Sequence, residues 1–409
     1  MHGGLALSSG IESYEFFIGK RELNSILRLA EEIKDFKVLH LSSSKSTPAV
    51  ELLKSLVPLL NSLGVNAKWK LVEGEPARGV AARVSRALQG LLDLDFPRDV
   101  EKVYVEAQRA IRGSLRADLV MVHDVELLPL VVDRGFEKWV WRCYSDISRP
   151  SPSIWPLAKR LVEMYDALVF PCREVMPRDL DLGKALVIHP SIDPLSDRNK
   201  PLSETEILSV LSKFDVDPDR PIIGQVCDFE LYSNHKDLLR VFERVRERRR
   251  GVQLVVVGRL SSEGAWGLYE ELLRLTCSCR DVHVLTDVDG VGDLELNALQ
   301  RSFTVALHLS SRDGFGLSVA EALWKAIPVV AYPVGSIPLQ VVNGLTGLLA
   351  NSLEEVVDKT LMLMKKPWLA RELGQRGRDH VKRNFLITRD LKDCLKLYAC
   401  LLKSSSHPP

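Results

Sequence analysis

The sequence predicts an α/β protein built from two doubly wound parallel-sheet domains. Three observations predict it: short apolar runs that do not alternate with polar residues, amphipathic helical stretches between them, and a proline-rich break near the middle of the 409 residues. Runs of Val, Ile and Leu that are apolar throughout suit parallel strands buried on both faces. Strand–helix alternation with right-handed crossovers winds such strands into one sheet, and here the alternation occurs twice, so each half reads as Rossmann-like. A chain of this length exceeds one ordinary core and suits two domains of about 150–200 residues.

In order, the first half offers strands at Lys37–Leu41, Ala67–Val72, Asp118–His123, Trp139–Arg142, Ala167–Phe170 and Ala185–Ile188. The second half offers Pro221–Val226, Val252–Val257, Val282–Leu285, Val305–Leu309 and Pro328–Ala331. Val50–Leu63, Ile154–Tyr165, His235–Arg249 and Leu317–Lys325 carry helical patterns. His189–Ser203 holds Pro190, Pro194 and Pro201 and reads as the interdomain linker. Leu353–Lys403 is almost wholly helical, with a frayed tail at Ser404–Pro409. The expected domains are residues 1–195 and 196–380, with 381–409 as a closing helix and tail.

With 46% hydrophobic and 27% charged residues and a formal net charge of +1, the composition is that of a soluble globular protein. The mixed charges argue against bulk capture of nucleic acid or a membrane surface, so neither is expected as a partner. Glu12, Glu15 and Lys20 interrupt any apolar leader, which predicts a cytoplasmic protein. No run approaches the ~18–20 apolar residues of a spanning helix. The seven cysteines are scattered, and Cys277 and Cys279 lack zinc-knuckle spacing. They read as structural thiols in a reducing compartment.

Ligands of open parallel sheets bind beyond the carboxyl ends of the strands, so site residues should follow strands. After Val305–Leu309 comes Ser310-Ser311-Arg312-Asp313-Gly314-Phe315-Gly316-Leu317, which opens the helix that carries Glu321. Glycines let a backbone approach a ligand closely, and a helix amino terminus offers N–H groups and a positive dipole end to phosphate. Carboxylates such as Asp313 and Glu321 suit sugar hydroxyls instead, which donate hydrogen bonds to charged acceptors. The same residues also fit an ordinary strand–loop–helix turn with a solvated Asp and a helix-surface Glu.

The stretch Ser310–Lys325 resembles the Glu-x7-Glu signature of the retaining group 1 glycosyltransferases of the glycogen-synthase and sucrose-synthase type. Pro328–Val330, Gly335, Gly344 and Gly347 fit as well. Within that family, Ser55–Leu60, Val122–Asp124, Trp141–Cys143, Pro190–Ser196 and Phe214–Pro218 are similar to the trehalose glycosyltransferring synthases, and the likeness runs from about Glu12 to Leu402. The resemblance implies the GT-B fold: two Rossmann-like domains facing a cleft, with the carboxy-terminal helices crossing back to the first. It implies a nucleotide diphosphate sugar as co-substrate and a small sugar as acceptor, with no cofactor and no metal, and it allows a homodimer. Asp313 would meet the donor sugar and Glu321 the ribose. The backbone of Gly314, Phe315, Gly316 and Leu317 would face the diphosphate. Asp146 would join Asp313 on donor hydroxyls, Arg142 and Asp124 would position the acceptor, and His123 would bind it. A structural histidine at a strand end is the other reading of His123.

Several positions depart from the family pattern. After Pro221–Val226 the family carries an Arg and, five residues on, a Lys, both on the diphosphate; here Asp228 and Ser233 stand there. Each lost charge-assisted bond forfeits roughly 1.5–3 kcal/mol, and a carboxylate ~4 Å from a phosphate charge adds up to about 4 kcal/mol of repulsion. Lys236 and Arg259 are the candidates for replacement charge. Ser42–Pro48 replaces a glycine-rich loop; Pro48 removes a backbone donor yet suits a first helical turn, and Lys45 is the loop's cation. Tyr144 stands for a His that meets the donor sugar, and Asp313 is one methylene shorter than the family Glu. Two readings stay open: a retaining hexosyltransferase, or a degenerate homologue that serves as a binding or regulatory partner. Phosphorolysis of trehalose is a third, and it too needs cations around its phosphate.

Overall fold

The computed structural model describes residues 10–43, 48–72, 83–93, 116–123, 125–260 and 263–403. Strands β1 (Lys37–Ser42), β2 (Asn66–Leu71), β3 (Leu119–His123), β4 (Lys138–Arg142), β5 (Ala167–Phe170) and β6 (Ala185–Val187) form one sheet in the order β2-β1-β3-β4-β5-β6. Every pairing in it is parallel. Strands β7 (Ile222–Val226), β8 (Gln253–Gly258), β9 (Val282–Thr286), β10 (Val305–His308), β11 (Val329–Ala331) and β12 (Leu348–Leu349) form a second parallel sheet, β12-β11-β10-β7-β8-β9.

The continuous apolar runs explain both sheets. Every residue of β3, β7, β8 and β10 is buried, as strands covered on both faces require. One core lies around Val120, Trp139, Trp141 and Phe170 of the first sheet, another around Ile223, Leu254, Val256 and Leu307 of the second. Each strand expected from the runs is present. The two-residue β12 was not expected, because so short a strand shows no period.

The chain divides into two compact units, Met1–Ser191 with Ile387–Pro409, and Ile192–Leu386. The crossings thus fall after Ser191 and Leu386, against 195 and 380 expected. Three helices fill the carboxy-terminal stretch: Leu353–Lys365, Pro367–Asn384 and Ile387–Lys403. The last belongs to the first unit, where it packs on the helices Glu15–Glu31 and Pro48–Ser62. It buries Ile387, Leu391, Leu395, Tyr398 and Leu402, the spacing of one helical face. Among the described residues no helix is long and apolar enough to cross a membrane.

Each strand order reverses at one point, between β1 and β3 in the first sheet and between β7 and β10 in the second. Such a reversal opens a crevice at the carboxyl ends of the strands, where ligands of doubly wound sheets bind. In the first unit Lys45 of the loop after β1, and Asp124 after β3, lie outside the described residues. In the second unit the loops after β7 and β10 are described, whereas Ser261 and Ser262 after β8 lie outside the described residues.

Candidate active site

Two loops meet at the crevice of the second unit, Cys227–Asn234 after β7 and Leu309–Gly316 after β10. Gln225, inside β7, joins them: its Oε1 accepts the Leu309 N–H at 3.2 Å and its Nε2 donates to the Ser233 carbonyl at 3.1 Å. Asn234 Nδ2 donates to the Leu309 carbonyl at 2.7 Å, and the Ser311 N–H to the Tyr232 carbonyl at 2.8 Å. Asn234 adopts a left-handed conformation (φ 52°), which asparagine tolerates better than most residues.

The glycine turn then starts the helix Leu317–Trp324. Asp313 Oδ1 accepts the Phe315 N–H at 2.9 Å. Its Oδ2 lies 3.1 Å from His308 Nε2, a close approach without the alignment of a hydrogen bond. Gly316 has φ +74°, and a Cβ there would sit 2.5 Å from Ile337 Cδ1. Ser336 Oγ donates to the Gly314 carbonyl and Gln340 Nε2 to the Phe315 carbonyl, which pins the turn from the side of the helix Ile337–Gln340. The Phe315 ring is buried against Phe385, with centroids 5.5 Å apart. At the start of Leu317–Trp324 the Val319 N–H donates to the Gly316 carbonyl at 2.9 Å, while the N–H groups of Leu317 and Ser318 precede the helical ladder, as at any helix start.

Glu321 is buried, at 3% exposure, so it is no solvated helix-surface residue. Arg198 grips it at two points, Nε to Oε1 at 2.8 Å and Nη2 to Oε2 at 3.2 Å, and reaches Asp293 Oδ1 with Nη1 at 3.2 Å. Arg198 was missed from the sequence because it lies in the presumed linker, two residues beyond Pro190–Ser196. That segment is fastened to the second unit rather than slack. Lys325 Nζ donates to Asn199 Oδ1 at 3.1 Å and Gln300 Oε1 at 2.8 Å, while Trp324 Nε1 donates to the Asn199 carbonyl at 3.2 Å. Burial pulls the Lys325 pKa down to about 7.

Asp228 is half-buried after β7 and accepts the backbone N–H of Arg259, the first residue after β8. Burial pushes its pKa up to about 6; the charges of Arg259 and Arg198 act against this and Glu230 adds to it. Ser233 Oγ donates to the Asp228 carbonyl at 2.7 Å, so this hydroxyl ties its own loop where a ligand contact was expected. Lys236 Nζ pairs with Glu271 at 2.8 Å on an exposed face, not with this loop. Arg259 Nη2 approaches Asp293 Oδ1 at 3.3 Å.

The first unit holds a different cluster. His40 Nδ1 and His123 Nε2 are 3.0 Å apart, and His123 Nδ1 is 2.8 Å from the Tyr144 hydroxyl. His123, expected on the acceptor, is fully buried with both ring nitrogens engaged, as the structural reading of a strand-end histidine requires. Arg142, also expected on the acceptor, is 1% exposed and gives both terminal nitrogens to Asp390, at 3.0 and 2.8 Å. Asp146 Oδ1 accepts from the Ser148 N–H at 3.0 Å and hydroxyl at 2.6 Å. Among the described residues no group of His, Cys, Asp and Glu could hold a metal ion, and all seven cysteines are free thiols.

Comparison with known proteins places this geometry. The family profile "Trehalose synthase, N-terminal domain" matches residues 42–177, and "Glycosyl transferases group 1" matches residues 211–380. The trehalose synthase of Pyrococcus horikoshii is 38% identical over 397 residues, 95% of each chain. The sucrose-phosphate synthase of Thermosynechococcus elongatus shares the fold at a TM-score of 0.70 and 16% identity, over 90% of this chain and 100% of that one. An Anabaena protein solved in complex with UDP and glucose shares it at a TM-score of 0.67 and 14% identity, over 89% of this chain and 100% of that one. Two six-stranded parallel sheets ringed by helices, the glycine turn after β10 and full-length likeness to trehalose synthases lead to one conclusion: the chain belongs to the trehalose synthase family of the GT-B, group 1 glycosyltransferases.

Proposed function

We propose that this chain transfers a glucosyl group from a nucleoside diphosphate glucose to glucose, with retention of configuration, to form trehalose. The observation that carries the reading is the glycine turn at the crevice of the second unit: Gly316 at φ +74° opens a helix that carries the buried Glu321. The unpaired N–H groups of that helix offset the charge that grows on the departing diphosphate. Glu321, though gripped by Arg198, retains lone pairs for two ribose hydroxyls, since an ionised carboxylate has about four acceptor sites. Asp313, fixed by the Phe315 N–H, keeps its other oxygen for a donor hydroxyl. The product follows the name borne by the full-length relatives. A degenerate partner protein is not favoured, because the likeness to trehalose synthases extends over 95% of the chain at 38% identity.

Calorimetric titration with UDP, ADP and their glucose conjugates tests the donor site. Micromolar binding that Glu321→Gln weakens, followed by trehalose formation from the better conjugate and glucose, is the expected result. Absence of binding up to millimolar nucleotide rejects the reading.

A further inference from the structure

We propose that Arg259 is the cation that carries the donor diphosphate in this chain, and that Asp228 holds it in place; the proposal rests on the nucleotide-sugar reading above. Relative to the family pattern, the positive charge has moved from the end of β7 to the end of the adjacent strand β8.

The geometry explains how. β8 pairs with β7 in parallel, so the residues that leave the two strands emerge about 4.8 Å apart at the same crevice. Gly258 closes β8, and a Cβ there would lie 2.2 Å from the Cys227 carbonyl oxygen and 2.7 Å from the Phe229 ring. Only glycine lets the two chain segments touch, and their contact delivers the Arg259 N–H to the Asp228 carboxylate. The Arg259 charge is also the largest of those that act on Asp228. An acid at the family's arginine position therefore does more than repel phosphate: it holds the backbone of an arginine from the next strand, a bond its oxygen can accept in either protonation state. Asp293 steadies the other end, where its Oδ1 takes both Arg259 Nη2 at 3.3 Å and Arg198 Nη1 at 3.2 Å. The Arg259 side chain stays 27% exposed beside this shared carboxylate. The other candidate for replacement charge, Lys236, is turned to Glu271.

Titration of the full chain with UDP and ADP tests this in four forms: parent, Arg259→Gln, Arg259→Lys, and Arg259→Gln with Asp228→Arg. Loss of one charge-assisted contact should weaken binding by roughly tenfold or more in Arg259→Gln. Arg259→Lys should retain most of it, and the added Asp228→Arg should recover it by returning the cation to β7. Thermal melting confirms that each form is folded. Equal binding by parent and Arg259→Gln overturns the proposal while the transferase reading stands. So does Arg259→Lys as weak as Arg259→Gln, which would mark Arg259 as a structural counter-ion of Asp228 and Asp293. No binding by the parent chain removes the transferase reading and this proposal with it.

Discussion

Arg142 at the end of β4 and Asp390 in the helix Ile387–Lys403 form a two-point ion pair, 1% and 0% exposed, across 248 positions of sequence. Ser191 Oγ donates to the same carboxylate at 3.0 Å, and the guanidinium lies over the Tyr144 ring, 5.3 Å from its centroid. Burial works against the charge on both partners, and their mutual attraction overcomes it, holding Arg142 well above its ordinary pKa and Asp390 below its own. This contact fixes the returning helix to the sheet of the first unit.

Asp390→Ala therefore leaves a buried guanidinium without its partner and should cost about 3–5 kcal/mol in urea unfolding. The double variant Arg142→Met, Asp390→Leu should recover much of that, because it removes the unpaired charge as well. A single variant no weaker than the parent would show that the pair contributes no net stability.

The first unit should also be acid-labile. Burial and the nearby Arg142 charge hold the His40 pKa down to about 3, and burial, His40 and Arg142 hold that of His123 well below its usual range. Unfolded histidine titrates near 6.5. These groups take up protons on unfolding below that pH, so their contribution is complete above 6.5 and is lost as pH falls toward the folded values. Each histidine adds a slope of up to about 1.4 kcal/mol per pH unit. Unfolding curves at pH 7 and 5 should show the fall, and His40→Asn should make it shallower.

Donor binding should strengthen as Asp228 takes up a proton. Its pKa of about 6, raised by burial, means that it is ionised at pH 7.5 and mostly neutral at pH 5. A nucleoside diphosphate glucose keeps its phosphate charges across that range, so any change belongs to the protein. Titrations should show several-fold tighter binding at pH 5, consistent with roughly 1 kcal/mol of removed repulsion. Asp228→Asn should flatten the profile.

Gly316→Ala should cost about 1–3 kcal/mol and weaken nucleotide binding together. The left-handed backbone penalises a Cβ, and the added methyl meets Ile337 Cδ1. Thermal melting and a UDP or ADP titration measure the two effects. Unchanged melting and binding would show that the turn relaxes without loss.

The residues differ in how far the sequence reveals them. Asp313, Gly314, Gly316 and Glu321 were legible because strand, turn and helix follow one another directly, and local order sets local geometry. Asp228 was legible as a position but not in its role, since nothing near it in sequence says that Arg259, 31 residues on, would reach it by the pairing of β7 with β8. Lys236 was the opposite error: two positions past the loop, it pairs with Glu271 of the neighbouring helix Glu263–Thr276. Arg142, cast as an acceptor contact by the family resemblance, is covered by the returning helix and pairs with Asp390.

The sequence by itself determined two parallel sheets and the glycine turn after β10, because unbroken apolar runs demand burial on both faces and glycine permits the left-handed step taken at Gly316. Only the tertiary structure decided the partners of the charges. Arg198 with Glu321 and Arg142 with Asp390 lie 123 and 248 positions apart, and no periodicity reaches that far. A buried charge needs a counter-charge within a few ångströms, and which one it finds depends on where the strand ends and helices converge in space.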